Sequence, residues 1–178
     1  MPPSLTLEPL GPINVADAFR VWGDFEAVKF TNWVHTPTIS DCGARLEKVL
    51  AYYAKDSRHF GPYVIRSGDN RFLGLIGAEV SSARETEYEI WYIIVQAEWG
   101  KGIASRALAE LVHQMAASGR ASTGVATVVS SNPASGRVLE KNGFIRGSVE
   151  TGGFARHGLM LDLIHFSRVF DKTANEED

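Results

Sequence analysis

Glu89–Ala104, EIWYIIVQAEWGKGIA, is the stretch on which the fold turns. Ile90, Trp91, Tyr92, Ile93, Ile94 and Val95 are β-branched or aromatic, the composition of a buried strand. Gly100 and Gly102 then break the run, and without a Cβ they let backbone amides approach a ligand closely. From Ile103 onward the apolar residues recur at helical spacing. A strand, a glycine turn and a helix in succession gather unpaired N–H groups and the positive end of a helix dipole at one point. That junction predicts an anion site, with a phosphate or pyrophosphate as the anion.

Two nucleotide-binding patterns fail here. The Walker loop G-x-x-x-x-G-K-[ST] would need glycine at Val95 and a hydroxyl at Gly102, so no side chain is left to hold magnesium. The dinucleotide fingerprint G-x-G-x-x-G breaks at Ser105. The turn instead resembles the acyl-CoA loop of the GNAT acetyltransferases, [QR]-x-x-G-x-[GA]. Trp99-Gly100-Lys101-Gly102-Ile103-Ala104 carries its glycine core, with Trp99 in place of a polar residue. That replacement is similar to the ribosomal-protein N-terminal (Rim-type) branch, whose loop often reads W-G-K-G-x-A. A second segment, SNPASGRVLEKNGF, resembles the family's N-x-x-S-x-x-[VL]-x-E-K-x-G-F through Asn132, Ser135, Val138, Glu140, Lys141, Gly143 and Phe144. The opening LTLEPLGPINVADAF resembles the first strand and helix of the same branch, so the likeness spans almost the whole chain.

The resemblance implies an α/β fold (an α+β mixed sheet) in which a central, mostly antiparallel sheet splays at the CoA site, with helices on both faces. The rest of the chain fits that expectation. Leu5 and Leu7 alternate as a first strand closed by Pro9, and Ile13–Trp22 reads as a short helix with Asn14 as a candidate cap. Val28–Ser40 is irregular. A second helix presents Leu46, Val49, Leu50 and Tyr53 on one face. Tyr63–Arg66 and Phe72–Val80 form a hairpin around Ser67-Gly68-Asp69-Asn70. After the glycine turn, Ala104, Ala107, Leu108, Leu111, Val112 and Met115 mark one helical stripe that Gly119 stops. Val125–Val129 is a fifth core strand. Asn132 caps a helix that opens on Pro133 and ends at Asn142-Gly143. Val149–Thr151 and Leu159–Phe166 close the chain as a hairpin around Gly152-Gly153. Residues 1–171 are expected to form one domain, and 172–178 a charged, disordered tail.

Composition bounds the function. A chain of 178 residues suits one domain. A net charge of −3 with no clustered basic patch argues against nucleic acid. The lone Cys42 forms no intramolecular disulfide and suits a reducing compartment. The first residues lack the pattern of a secretory signal, and no apolar run approaches about 18 residues, so neither export nor a membrane is expected. A cytoplasmic protein follows, with a homodimer left open. The five histidines have no metal-ligand spacing, so no metal is expected.

What the resemblance implies about the site can be stated residue by residue. The backbone of Ile93, Ile94 and Val95 pairs with the pantetheine arm of acetyl-CoA, and an amide near Val95 holds the oxyanion. Gly100, Lys101, Gly102, Ile103 and Ala104 give amides to the pyrophosphate, and Lys101 adds a charge at the rim. Asn132 contacts the pantetheine amide, and Ser135 protonates the departing thiolate. Both also read simply as a helix cap and its third residue. Many GNAT enzymes use a tyrosine as that acid, but Leu139 and Phe144 have no hydroxyl, and Tyr92 lies within the strand. Glu89 is the first choice of base for a protonated amine, Glu79 the reserve, and each also reads as a strand-end charge. His35 and Trp33 are candidate acceptor contacts, and Cys42 is inert. The activity implied is transfer of an acetyl group to a primary amine, a protein N-terminus or a small molecule, by direct attack. The alternative is a non-catalytic acyl-CoA-binding module.

Overall fold

A computed structural model describes residues 4–82, 84–156 and 158–170; the expected tail at 172–178 lies outside the described residues. The chain runs β1 (Leu5–Pro9), α1 (Val15–Trp22), α2 (Phe25–Val28), α3 (Ile39–Ala54), β2 (Phe60–Ser67), β3 (Phe72–Val80), β4 (Glu87–Ile94), α4 (Ile103–Ala117), β5 (Thr123–Val129), α5 (Pro133–Lys141), β6 (Ile145–Arg156) and β7 (Leu159–Val169). The strands make one sheet in the order β1-β2-β3-β4-β5-β7-β6. Every neighbouring pair is antiparallel except β4 and β5, which are parallel.

Alternation along β4 separates two cores. Ile90 and Ile94 pack with Leu108, Leu111 and Met115 of α4 and Leu139 of α5. Ile93 packs on the opposite face with Leu75, and with Val21 and Trp22 of α1 and Leu46 of α3. Helices therefore cover both faces, as expected.

The parallel pairing of β4 with β5 covers only Glu87–Glu89 against Thr123–Val125. Beyond it, β4 stays paired to β3 as far as Ile94, and β5 stays paired to β7 as far as Val129. The two strands part after Glu89, which opens a cleft through the sheet.

Two local expectations change. Asn14 does not cap α1: its side-chain oxygen accepts from the Gly11 N–H at 2.9 Å, and the turn before the helix is a short 3₁₀ segment, Pro12–Asn14. Gly152-Gly153 is not the hairpin turn. β6 runs through it with a register shift between Glu150 and Phe154, because Gly152 takes φ 66° and its N–H turns to Asp162 at 2.9 Å. The pairing instead extends to Arg156 and Leu159. Among the described residues, no helix is long and apolar enough to cross a membrane.

Candidate active site

The cleft between β4 and β5 has a volume of about 660 Å³. Gly100, Gly102, Ile103, Ala104, Ser105, Asn132 and Ser135 line it together with Glu89–Ile94. The two motif segments thus meet across one opening although about 30 residues of chain separate them, because the helix of each starts at the cleft.

The glycine turn has the geometry its sequence predicts. Gly100 and Gly102 sit at φ 77° and 73°, the left-handed region that favours glycine. A Cβ at either position would meet no atom within 4 Å, so the space above the turn is open. The first main-chain bond of α4 runs from Arg106 N–H to Gly102 O at 3.2 Å. The N–H groups of Ile103, Ala104 and Ser105 have no acceptor within the helix and line the opening. The Trp99 indole N–H donates to Ile94 O at 2.9 Å and so ties the turn to the end of β4. This accounts for tryptophan at a position the family usually fills with a polar residue. The Lys101 ammonium is held by a neighbouring carboxylate. It lies 3.1 Å from Glu98, a largely buried carboxylate that lines the cleft, while Lys101 itself does not line it.

The backbone of β4 corrects the sequence reading. Val95 N–H donates to Leu73 O at 3.0 Å, which removes it as an oxyanion donor. N–H directions alternate along a strand, so Ile93 also faces β3, while Tyr92 and Ile94 turn their N–H groups to the open edge.

Asn132 accepts from the Ser135 N–H at 3.4 Å as the cap of α5. The Ser135 hydroxyl lies 2.7 Å from the Tyr92 hydroxyl, which also donates to Ser135 O at 3.1 Å. Burial pushes the Tyr92 phenol up to about 12, the Ser135 contact opposing, so it stays protonated at neutral pH. Tyr92, which the sequence reading sets aside as lying within the strand, reaches Ser135 from that strand. Even positions of β4 face α5, and that parity was the available signal.

Glu89 is the last residue of β4 paired to β5, at the apex of the opening. It faces Glu79 directly across β3, so the two carboxylates share one face of the sheet. Desolvation between the cleft walls, then repulsion from Glu79, raises the Glu89 carboxyl above the ordinary glutamate range, although water reaches it. Glu79 accepts from the Tyr53 hydroxyl at 3.2 Å, and Tyr53 accepts from the Trp91 indole at 2.7 Å. Glu79 lines a second cavity, beneath α3, instead of the cleft.

Residues 4–145 match the family described as Acetyltransferase (GNAT) domain. The chain belongs to the GNAT acetyltransferase family. Solved structures agree on the fold. A ribosomal-protein alpha-N-acetyltransferase bound to coenzyme A aligns at a TM-score of 0.84 and 18% identity, over 95% of this chain and 96% of the other. A microcin self-immunity acetyltransferase bound to acetyl-CoA and AMP aligns at 0.80 and 18%, over 93% and 92%. The spermidine N-acetyltransferase of Vibrio cholerae, bound to CoA and spermine, aligns at 0.79 and 18%, over 94% and 96%. No curated protein sequence matches the chain.

Other residues of this GNAT domain complete the walls. Arg137 and Lys141 of α5 line the cleft without an ion pair among the described residues. Trp33 lines both cavities, stacked on Trp22 at 5.2 Å and edge-on to Trp91 at 5.0 Å. His35 bonds Gly23 O through Nε2 at 3.0 Å and lines only the second cavity. Cys42 is fully buried, and burial raises its thiol.

Proposed function

We propose that this chain transfers the acetyl group of acetyl-CoA to a primary amine by direct attack, in a site of the Rim-type branch. The observation that carries the reading is the parting of β4 from β5 at Glu89. One opening then holds a free strand edge, an anion-binding turn, a carboxylate with a raised pKa and a hydroxyl pair. Acetyl-CoA supplies the activated thioester. The amides of Gly100 to Ala104 and the charges of Arg137 and Lys141 hold its phosphates, and Asn132 and the Ile94 N–H hold its pantetheine arm. The Tyr92 N–H, on the same open edge, receives the oxyanion in place of Val95.

Glu89 takes a proton from the acceptor's ammonium, and the free amine forms its bond to the thioester carbon. The C–S bond then breaks, and the Ser135–Tyr92 hydroxyl pair receives the thiolate. No covalent enzyme intermediate is needed. The acceptor is a protein N-terminal α-amine or a small-molecule amine. The single buried cysteine fits a reducing, cytoplasmic setting.

The test is thiol release from acetyl-CoA with a panel of primary amines, beside calorimetry with CoA. Turnover of at least one amine supports the reading. CoA binding without turnover on any amine replaces it with the non-catalytic module.

A further inference from the structure

The second cavity, also about 660 Å³, shares only Trp33 with the lining of the cleft, and its wall is chemically specific. Asp41, Arg45, Lys48 and Tyr52 come from one stripe of α3 at helical spacing, and Glu79 and Tyr53 close one end. Arg45 is half-buried, its guanidinium 5.9 Å from the Trp22 ring and 6.0 Å from the Trp33 ring. Among the described residues it has no ion pair, and its buried Nε has no hydrogen-bond partner. Thr36, only 4% exposed and on the same wall, carries a hydroxyl that is also unpartnered. Lys48 has no ion pair among the described residues either. Asp41, the nearest acid along the stripe, pairs with neither among the described residues and accepts from the Thr38 hydroxyl at 2.6 Å.

Arg45 Nε and the Thr36 hydroxyl have no accessible surface, so what the cavity presents is a cationic wall of Arg45 and Lys48 without a counter-ion, and that wall lacks an oxyanion. Burial lowers the Arg45 pKa from its ordinary value, but a guanidinium stays charged in any assay. Arg45 and Tyr53 stand about 12 Å apart along α3, and Lys48 and Tyr52 about 6 Å. The cavity meets the cleft at Trp33 and at the Glu79–Glu89 pair.

We infer that this cavity is an anion subsite of the acceptor: Arg45, with Lys48, holds a carboxylate or similar oxyanion, while the acceptor's amine lies between Glu79 and Glu89. The inference rests on the amine-acetylation reading and narrows it to zwitterionic acceptors, with the two charges separated by about the span of a short peptide. A polyamine fits the acidic pair but would bring a second ammonium against Arg45 and Lys48.

The experiment uses three acceptors of equal length: 6-aminohexanoate, 6-aminohexanamide and 1,6-diaminohexane, each roughly as long as two extended residues. In the wild type, kcat/KM for the carboxylate is expected to exceed that for the amide by tenfold or more, with the diamine lowest. Arg45→Met should bring the carboxylate-to-amide ratio close to one, and Arg45→Lys should restore part of it. Lys48→Met, at an exposed position, should lower the ratio less and serves if Arg45→Met does not fold. Calorimetry of 6-aminohexanoate on the CoA-loaded protein separates this subsite from the catalytic reading. Binding that Arg45→Met abolishes, with no amine turned over, keeps the subsite and removes the activity. A diamine preference, an unchanged ratio in both methionine variants, or no binding of 6-aminohexanoate overturns the proposal.

Discussion

Tyr92→Phe is the most informative single perturbation of the site. It keeps the ring that packs against the α4 and α5 core and deletes only the hydroxyl 2.7 Å from Ser135 Oγ. A Tyr92 phenol pushed up to about 12 is a weaker acid than a thiol of ordinary pKa, about 8.5, by roughly three orders of magnitude. It therefore does not hand its proton to the thiolate. When its one O–H donates to Ser135 Oγ instead of Ser135 O, the serine proton is free to point at the sulfur. A hydrogen bond to a charged group contributes about 1.5–3 kcal/mol, so losing the chain that ends on the thiolate should lower kcat roughly ten- to a hundredfold. KM for acetyl-CoA should change little, because the charge appears only as the C–S bond breaks. The assay is steady-state thiol release for Tyr92→Phe, Ser135→Ala and the double variant. If the two hydroxyls act as one unit, the double variant loses no more than the worse single one. Full kcat in Tyr92→Phe, with only the melting temperature lowered, would leave the pair a structural link between β4 and α5 and refute the argument.

The remaining tests address the base, the turn and the cap. Glu89→Gln should lower turnover about 10²-fold and remove the acidic limb of the kcat/KM profile, a limb expected above the ordinary glutamate pKa because desolvation and Glu79 raise it. A folded-state pKa above the unfolded value means that ionised Glu89 destabilises the fold at neutral pH, so thermal melts of Glu89→Gln should show a gain at pH 7 that vanishes in acid, where the wild type is protonated. Gly100→Val and Gly102→Val should abolish CoA binding in calorimetry, through left-handed backbone strain and a side chain projecting into the open space, whereas Lys101→Ala, whose ammonium faces Glu98, should change it little. Asn132→Ala should cost CoA affinity more than kcat and lower stability by about 1 kcal/mol as the cap of α5 is lost.

What the sequence disclosed followed how local each feature is. The glycine turn, the capped helix at Pro133 and the stripe of α4 are set by neighbours a few residues away, and all three stand where their residues predict. The course of β6 was misread because a glycine pair serves a turn and a bulge equally well. Only its pairing to β7, with Gly152 N–H turned to Asp162, decides between them. Val95 was misjudged as a donor for a related reason: which β4 amides are free depends on how the strand meets β3, and composition carries no register. Arg45 gave no signal at all. A lone arginine on an amphipathic helix is ordinary until the absence of a counter-ion is visible in three dimensions.

The period of β4 makes the site two-sided. Odd positions from Glu89 to Ile93 face α1 and α3, and even positions from Ile90 to Ile94 face α4 and α5. Glu89 and Tyr92 differ in parity, so a base and a hydroxyl three residues apart reach opposite faces of one sheet. An amine can then enter between Glu79 and Glu89 while the thiol leaves toward Ser135, and neither partner crosses the path of the other. In an unbroken sheet the same alternation would leave the two groups separated by paired backbone. The opening after Glu89 removes that barrier and leaves the carboxylate at its apex. A substitution that extended the β4–β5 pairing past Glu89 would therefore close the site without altering any side chain in it.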